Sequence, residues 1–157
     1  MNITDVERDL LFVTPKEFTD DDLLMLGPNP IKWRRELKGL ETKGIFNLDY
    51  YSGRLELKYS VNHRTRKSLV LLRYCSHCFH TNPEELGGEI FRNEPHIHLH
   101  REGFGDRYAV KVTDIFPRLT EEQSQDIVMI VEAILSKISV QNPPTISGTL
   151  WNSTQTQ

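Results

Sequence analysis

The stretch that decides the fold is EPHIHLHREGFGDRYAVKV, which spans residues 94–112. Apolar and polar residues alternate on both sides of Gly103–Asp106, and this period of two is typical of two strands joined in a hairpin. With residues 103–106 as the loop, the predicted pairs are Leu99–Val110 and Ile97–Val112 on an apolar face, and His100–Ala109, His98–Lys111 and His96–Thr113 on the other. The three histidines therefore share the polar face of the hairpin.

Two further strand patterns precede this hairpin. Residues 45–61, IFNLDYYSGRLELKYSV, alternate on both sides of a Ser52-Gly53 turn, so we expect a second hairpin in which Tyr50 faces Leu55. Residues 68–74, SLVLLRY, form a denser apolar run that is typical of a central strand.

Helices are predicted at both ends of the chain. The first 43 residues are expected to be helical, with one helix after the N-cap candidate Thr19 and another that begins at Pro30. A capping-box pattern at Thr120, ahead of an apolar stripe, predicts a helix over residues 120–139.

These elements predict an α+β fold: an antiparallel sheet of about five strands, made of two hairpins and a central strand, with N-terminal helices and one C-terminal amphipathic helix. A chain of 157 residues has the length for one such domain. We expect this domain to span residues 1–139, with a helical part at 1–43, the sheet at 45–113 and the last helix at 120–139. The polar tail, residues 140–157, is expected to be flexible.

The charge balance narrows the class of partner. The formal net charge is -3, which argues against a dedicated duplex-DNA binder, because such proteins carry a strong basic excess. No apolar run approaches the roughly 20 residues that a membrane helix needs, and the acidic N-terminus is unlike a signal peptide. We therefore expect a cytoplasmic protein without membrane contact.

The histidine strand is the first candidate site. Residues i and i+2 of a strand share a face, so His96 and His98 can converge on one ion or one ligand. Three interpretations stay open: polar residues on an outer or packed face, a metal site, and a metal-free site for ligand binding or acid–base chemistry.

The two cysteines form a second candidate site. Cys75 and Cys78 are spaced as C-x-x-C, and without an export signal a structural disulfide is not expected. The open alternatives are reduced thiols, redox chemistry, and a metal site in which Cys75 and Cys78 join His96 and His98. Such a site makes a divalent metal, zinc above all, the expected cofactor.

The segment HTNPEELGGE, residues 80–89, lies between these motifs. Its Asn-Pro and Gly-Gly pairs are turn formers, so its simplest interpretation is a loop. A functional alternative places this loop over the sheet, with His80 near His96 or His98. Two histidines grouped in this way, beside a basic residue such as Arg73 or Arg101, have the chemistry for acid–base cleavage of a phosphodiester. The predicted catalytic set is then His80, His96, His98, Arg101 and Glu102.

Several of these motifs together resemble a known family. H-x-N-P at residues 80–83, GGE at 87–89, PHIH at 95–98 and REGFGDRYA at 101–109 are similar to an uncharacterised domain family of bacteria and their phages. The matching positions are His80, Asn82, His96, His98, Arg101, Glu102, Gly103, Gly105 and Asp106. His100 departs from the family pattern, which has tyrosine there, and Cys75 and Cys78 lie outside it. These departures weaken the zinc hypothesis and favour His80, His96 and His98.

The resemblance implies an accessory protein of phages or mobile elements, a setting that includes toxins, antitoxins and inhibitors of host defence. Two functions stay open. The first is a binding module or inhibitor that docks on a host protein or protein–nucleic-acid complex through the histidine hairpin and its loop. The second is a small histidine- or metal-dependent phosphodiesterase, such as a toxin-like ribonuclease acting on RNA.

Overall fold

The computed structural model describes residues 2–27, 30–53, 58–66 and 68–148. Its elements in chain order are α1 (Asp5–Val13), β1 (Lys16–Phe18), β2 (Leu24–Met25), β3 (Ile31–Gly39), β4 (Ile45–Ser52), β5 (Tyr59–Thr65), β6 (Val70–Thr81), β7 (Ile90–Arg101), β8 (Gly105–Lys111), α2 (Val112–Ile115), α3 (Ile127–Lys137) and β9 (Ile146–Ser147). Within these residues, one sheet has the strand order β1-β3-β4-β5-β6-β7-β8, and β2 pairs with β9 in parallel. The predicted α+β class is confirmed, but this antiparallel sheet has seven strands rather than about five.

The N-terminal region departs from the prediction. Helix α1 is present, but the helices predicted after Thr19 and from Pro30 are wrong, because this region forms β1, β2 and β3. In β3 the exposed side chains alternate with less exposed ones, which is a period of two. The alternation is not visible in the sequence because a charged residue, Arg35, lies on the inward face. Its guanidinium is paired with Asp20 there. Pro28 and Asn29 lie outside the described residues.

The hairpin of β4 and β5 has a longer connection than predicted. Tyr50 pairs with Val61 rather than with Leu55, and Leu48 pairs with His63. The shift is an even number of residues, so each described side chain of β4 and β5 keeps its predicted face. Residues 54–57, predicted to begin the return strand, lie outside the described residues.

The hairpin of β7 and β8 shows the same kind of error. The observed pairs are Leu99–Tyr108, Ile97–Val110, His98–Ala109 and His96–Lys111. The predicted register is therefore wrong by two residues, because the loop is shorter and Gly105, with a φ of +62°, already belongs to β8. The shift is even, so the histidines remain opposite the apolar face.

Helix α3 covers the apolar face of the sheet. Its predicted stripe is buried: Ile127, Ile130, Val131, Ile134, Leu135 and Ile138. The helix begins later than predicted. The capping box at Thr120 and Gln123 is present, at 3.0 and 3.1 Å, but it closes a short turn, and Asp126 caps α3 itself.

The segment from residue 140, for which the sequence predicts a flexible tail, begins with a bridge between Val140 and Lys16. It then forms β9, while residues 149–157 lie outside the described residues. Among the residues described, no helix is long and apolar enough to cross a membrane.

Candidate functional site: a histidine cluster under a folded hairpin

The outer half of the β6–β7 hairpin bends over the polar face of the sheet. We call this half, residues 78–94, the flap. The bend is marked in β6 by register shifts at Cys78 and in β7 by Asn93, whose φ is +55°. Although β6 pairs with β7, the Asn82 side chain reaches Ala109 of the edge strand β8. The flap therefore crosses β7 and is tied to β8.

The flap brings His80 against the histidine strand. The ring centroids are 4.4 Å apart for His80 and His98, 4.9 Å for His96 and His98, and 6.0 Å for His80 and His96. His96 and His98 are buried, and His80 is half-buried. We call His80, His96 and His98 the histidine cluster. The structure thus joins the three histidines that the functional interpretation of the loop required.

Hydrogen bonds fix which nitrogen of His80 carries the proton. The amide of Asn82 donates from Nδ2 to the Ala109 carbonyl and accepts at Oδ1 from the Ala109 N–H, both at 2.8 Å, so its orientation is set. His80 Nε2 lies 3.0 Å from Asn82 Oδ1 and 2.9 Å from the Arg107 carbonyl. Both partners accept, so Nε2 donates. In the neutral ring, Nδ1 is therefore the bare nitrogen.

Backbone carbonyls orient the other two rings in the same way. His96 Nδ1 donates to the Glu94 carbonyl at 2.8 Å, and His98 Nδ1 donates to the Asp106 carbonyl at 2.9 Å. Each neutral ring therefore has a bare Nε2. The Nε2 of His96 has no hydrogen-bond partner among the described residues. A hydrogen bond on one ring nitrogen that leaves the other bare is how proteins prepare imidazoles as bases or ligands.

Burial keeps two of these rings neutral. Burial first, and then the nearby charge of Arg73, lower the pKa of His98 to about 3. Burial likewise lowers the pKa of His96 below its ordinary value, while the bond to the Glu94 carbonyl acts in the opposite direction. At neutral pH the free protein therefore presents lone pairs, not positive charges, on His96 and His98.

A cavity of about 370 Å³ opens beside the cluster. Two cations, Lys58 and Arg73, and two exposed rings, Tyr51 and Phe79, contribute to its wall. Arg73 Nη1 lies 3.4 Å from an Asp106 carboxylate oxygen, an ion pair that leaves Arg73 partly exposed. The complete lining is Tyr51, Lys58, Ser60, Arg73, Cys75, Cys78, Phe79, His80 and His98. We call this space the histidine cavity; its two cations suit an anion, and the rings of His80 and His98 lie in the same wall.

The prediction that Cys75 and Cys78 are reduced or bind a metal is wrong. Cys75 and Cys78 are joined in a disulfide at the register shift of β6, so neither supplies a thiolate. The predicted metal set of Cys75, Cys78, His96 and His98 is therefore not formed. More generally, the described part of the chain has no group of three or more histidine, cysteine or acidic side chains placed to hold an ion.

Arg101 and Glu102 lie apart from the cluster. The Arg101 guanidinium stacks on Tyr108, with its Nε 3.6 Å from an Asp5 carboxylate oxygen, and the Glu102 N–H donates to Asp5 at 2.8 Å. Both residues fasten the hairpin tip to α1, and neither lines the histidine cavity. Their predicted catalytic role is not supported by this geometry.

Sequence reasoning missed four residues of the cavity wall, Tyr51, Lys58, Ser60 and Phe79. Tyr51 pairs with Ser60, Ser60 with Cys75, and Cys75 with His96, so one row crosses four strands. The next row joins Arg73 to His98 in the same way. The period-two pattern assigned each residue to a face, but only the correct registers place these residues side by side.

Comparison with known proteins places the chain in a family. No curated protein and no solved structure matches it. A family model, described as a family of unknown function (DUF6978), matches residues 3–140, which include the histidine cluster and the whole wall of its cavity. The chain therefore belongs to this family of unknown function, DUF6978.

Proposed function

We propose that this protein is a histidine-dependent phosphodiesterase that cleaves RNA in the histidine cavity. The observation that carries the proposal is the set of three imidazoles with oriented rings and bare nitrogens beside two cations. Imidazoles move protons near neutral pH, and cations hold and neutralise a phosphodiester. RNA is the preferred substrate class because its own 2′-hydroxyl supplies the nucleophile.

The proposed step is a transesterification. His98 Nε2 removes the proton of the 2′-hydroxyl, and O2′ attacks the adjacent phosphorus. The P–O5′ bond breaks, and the protonated form of His80 delivers a proton from Nδ1 to the leaving O5′. The products are a 2′,3′-cyclic phosphate and a free 5′-hydroxyl. Exchange with water then returns a proton to His80 and removes one from His98.

The surroundings of His98 suit a base that acts only with substrate bound. In the free protein its pKa is about 3, chiefly because the ring is buried. A phosphodiester anion beside the ring favours the imidazolium and raises this pKa toward neutrality, as an opposite charge does. The Asp106 carbonyl, at 2.9 Å from Nδ1, also stabilises the imidazolium. Arg73 and Lys58 would offset the charge that develops on the phosphorus oxygens.

A protein-binding module is the second candidate. The sequence suggested docking through the histidine hairpin, but the buried rings of His96 and His98 offer little surface to a protein. The observation that favours this candidate is instead on α1, where Val6, Leu10 and Val13 are 69%, 60% and 63% exposed at helical spacing. A binding module makes no product from RNA, so a cleavage assay separates the two candidates.

The test is cleavage of short single-stranded RNAs by the unmodified protein and by His98→Asn. Asparagine retains a donor near the Nδ1 position for the Asp106 carbonyl but has no counterpart of Nε2. We expect a cyclic-phosphate product from the unmodified protein and a rate about 10² to 10⁴ times lower for His98→Asn. The matched control is His100→Phe, which changes a buried histidine of the same strand outside the cavity and is expected to cleave normally.

Two outcomes would overturn the proposal. One is a folded His98→Asn protein that cleaves as fast as the unmodified protein. The other is the absence of product from every RNA sequence tested with the unmodified protein, which would favour the binding module.

A further inference from the structure

We propose that the RNA is single-stranded and lies across the polar face of the sheet, from the histidine cavity over Tyr51 into a second cavity beside Lys32 and Arg34. This inference rests on the proposed function, because it extends the same site. It assigns a binding groove for nucleotides that neighbour the cleaved bond.

The second cavity adjoins the first. It has a volume of about 480 Å³ and is lined by Lys32, Trp33, Arg34, Asp49, Tyr50, Tyr51 and Ser60. Tyr51 and Ser60 also line the histidine cavity, so the two spaces share a wall. We call the two cavities together the groove.

Strand pairing sets the direction of the groove. Lys32 pairs with Tyr51, Tyr51 with Ser60, and Ser60 with Cys75, so one row of side chains runs from β3 to β6. Three strand spacings of about 4.8 Å make this row roughly 14 Å long. That length exceeds one nucleotide, so a ligand that fills both cavities has at least two.

The groove is cationic, although the chain as a whole is acidic. Lys32, Arg34, Lys58 and Arg73 line it, and the acidic residue in its lining is Asp49. The Asp49 carboxylate lies 2.9 Å from Nε of Arg34 and 2.9 Å from Nε of Arg64, so one negative charge is shared by two guanidiniums. A positive excess therefore remains, which is what a phosphate backbone requires.

Aromatic rings favour unpaired bases. Tyr51, on the shared wall, is 47% exposed, and Phe79 is 59% exposed at the other side of the histidine cavity. Exposed rings bind the faces of bases, which a duplex keeps stacked within itself. The net charge of -3 also argues against a duplex.

The experiment measures binding without cleavage. The probe is a fluorescein-labelled 2′-O-methyl oligonucleotide of about ten nucleotides, single-stranded or annealed to its complement, with fluorescence polarisation as the readout. Methylation removes the 2′-hydroxyl nucleophile, so affinity does not depend on the proposed catalytic step. We expect the single strand to bind more tightly than the duplex. With up to four cations contacting phosphates, log K should fall against log salt with a slope of at most about 2.8.

Substitutions in the groove test where the RNA strand binds. Tyr51→Ala should weaken binding about tenfold through lost base stacking, and Lys32→Glu should weaken it at least severalfold through charge. Lys38→Glu is the matched control, since Lys38 is exposed on the same strand but lines neither cavity. It should bind within about twofold of the unmodified protein. All three positions are exposed, and circular dichroism confirms that the variants fold.

The proposal is overturned if Tyr51→Ala and Lys32→Glu bind the single strand as tightly as Lys38→Glu does, or if the duplex binds better. Tight binding of the methylated strand with no cleavage of RNA would contradict the proposed catalysis but support the groove. Cleavage of RNA, together with Tyr51→Ala and Lys32→Glu variants that bind the methylated strand as tightly as Lys38→Glu does, would contradict the groove but not the catalysis.

Discussion

Histidines at alternate positions of β7 have different surroundings. His96 and His98 each donate from Nδ1 to a backbone carbonyl, and both rings contact His80. His100 is equally buried, yet neither of its ring nitrogens has a hydrogen-bond partner among the described residues. The first two rings are thus held in one orientation by hydrogen bonds, whereas the ring of His100 is buried without a partner among the described residues to offset its desolvation.

This difference predicts that His100→Phe stabilises the protein. A buried nitrogen without a partner costs about 1–3 kcal/mol, and phenylalanine removes two of them while roughly keeping the ring. We expect the free energy of unfolding to rise by about 1 kcal/mol and Tm to rise by about 2–4 °C. Urea and thermal unfolding measure both. A fall of similar size would mean that the nitrogens of His100 are satisfied after all.

At the scale of single residues, the sequence predicted part of the candidate site. Alternation put His96 and His98 on one face, and the turn formers after His80 suggested that its loop could cover them. Arg101 and Glu102 lie apart from the cluster, since closeness in sequence to the histidines is not closeness in space at a hairpin tip. The disulfide was also missed, because reasoning from redox environment does not reveal that a strand bulge brings Cys75 and Cys78 together.

The flap is the element on which the site depends. It supplies His80, and it places Phe91 4.9 Å from His96, measured between ring centroids. Three hydrogen bonds of the Asn82 side chain tie it to β8 and to His80. Because Asn82 is almost completely buried, water cannot readily replace these bonds.

We therefore predict that Asn82→Ala loosens the flap. The variant leaves both backbone groups of Ala109 without their partner, so the free energy of unfolding should fall by about 2 kcal/mol. Hydrogen exchange should accelerate in residues 78–94 but not in α3. Asn62→Ala is the matched control, because the buried Oδ1 of Asn62 has no partner among the described residues, and its effect should stay below about 0.5 kcal/mol. An Asn82→Ala protein as stable as the control would show that the flap is held by other contacts.

Element types were predicted better where the hydrophobic period was uninterrupted. Strands β4, β5 and β8 and helix α3 follow such patterns, as do the first part of β6 and the last part of β7. No strand was predicted over residues 75–81 and 90–93, which form the rest of β6 and β7. Strand β3 was read as a helix because Arg35 replaces an apolar residue on its inward face. The bend of the flap had no expected pattern, since it arises from a register shift in β6 and a positive φ at Asn93 rather than from residue type alone.

For the molecule as a whole, the distribution of charged residues over the surface says more about the ligand than the net charge does. The net charge of -3 conceals a groove lined by four cations, and the opposite face of the sheet is closed by α3 and the apolar core. Sequence composition could not show this division, because the four cations come from β3, the β4–β5 connection and β6. They meet only through pairings between strands that are distant in the chain.

The most direct test of the account is NMR of the histidine ring nitrogens as a function of pH, with and without inorganic phosphate. In the free protein we expect His96 and His98 to be neutral with the proton on Nδ1, and His98 to stay neutral well below pH 6, since its pKa is about 3. Phosphate should shift the signals of His80 and His98, raise the pKa of His98, and leave the buried His63 and His100 unchanged. A His98 that titrates at its ordinary pKa, or rings that do not respond to phosphate, would contradict the account.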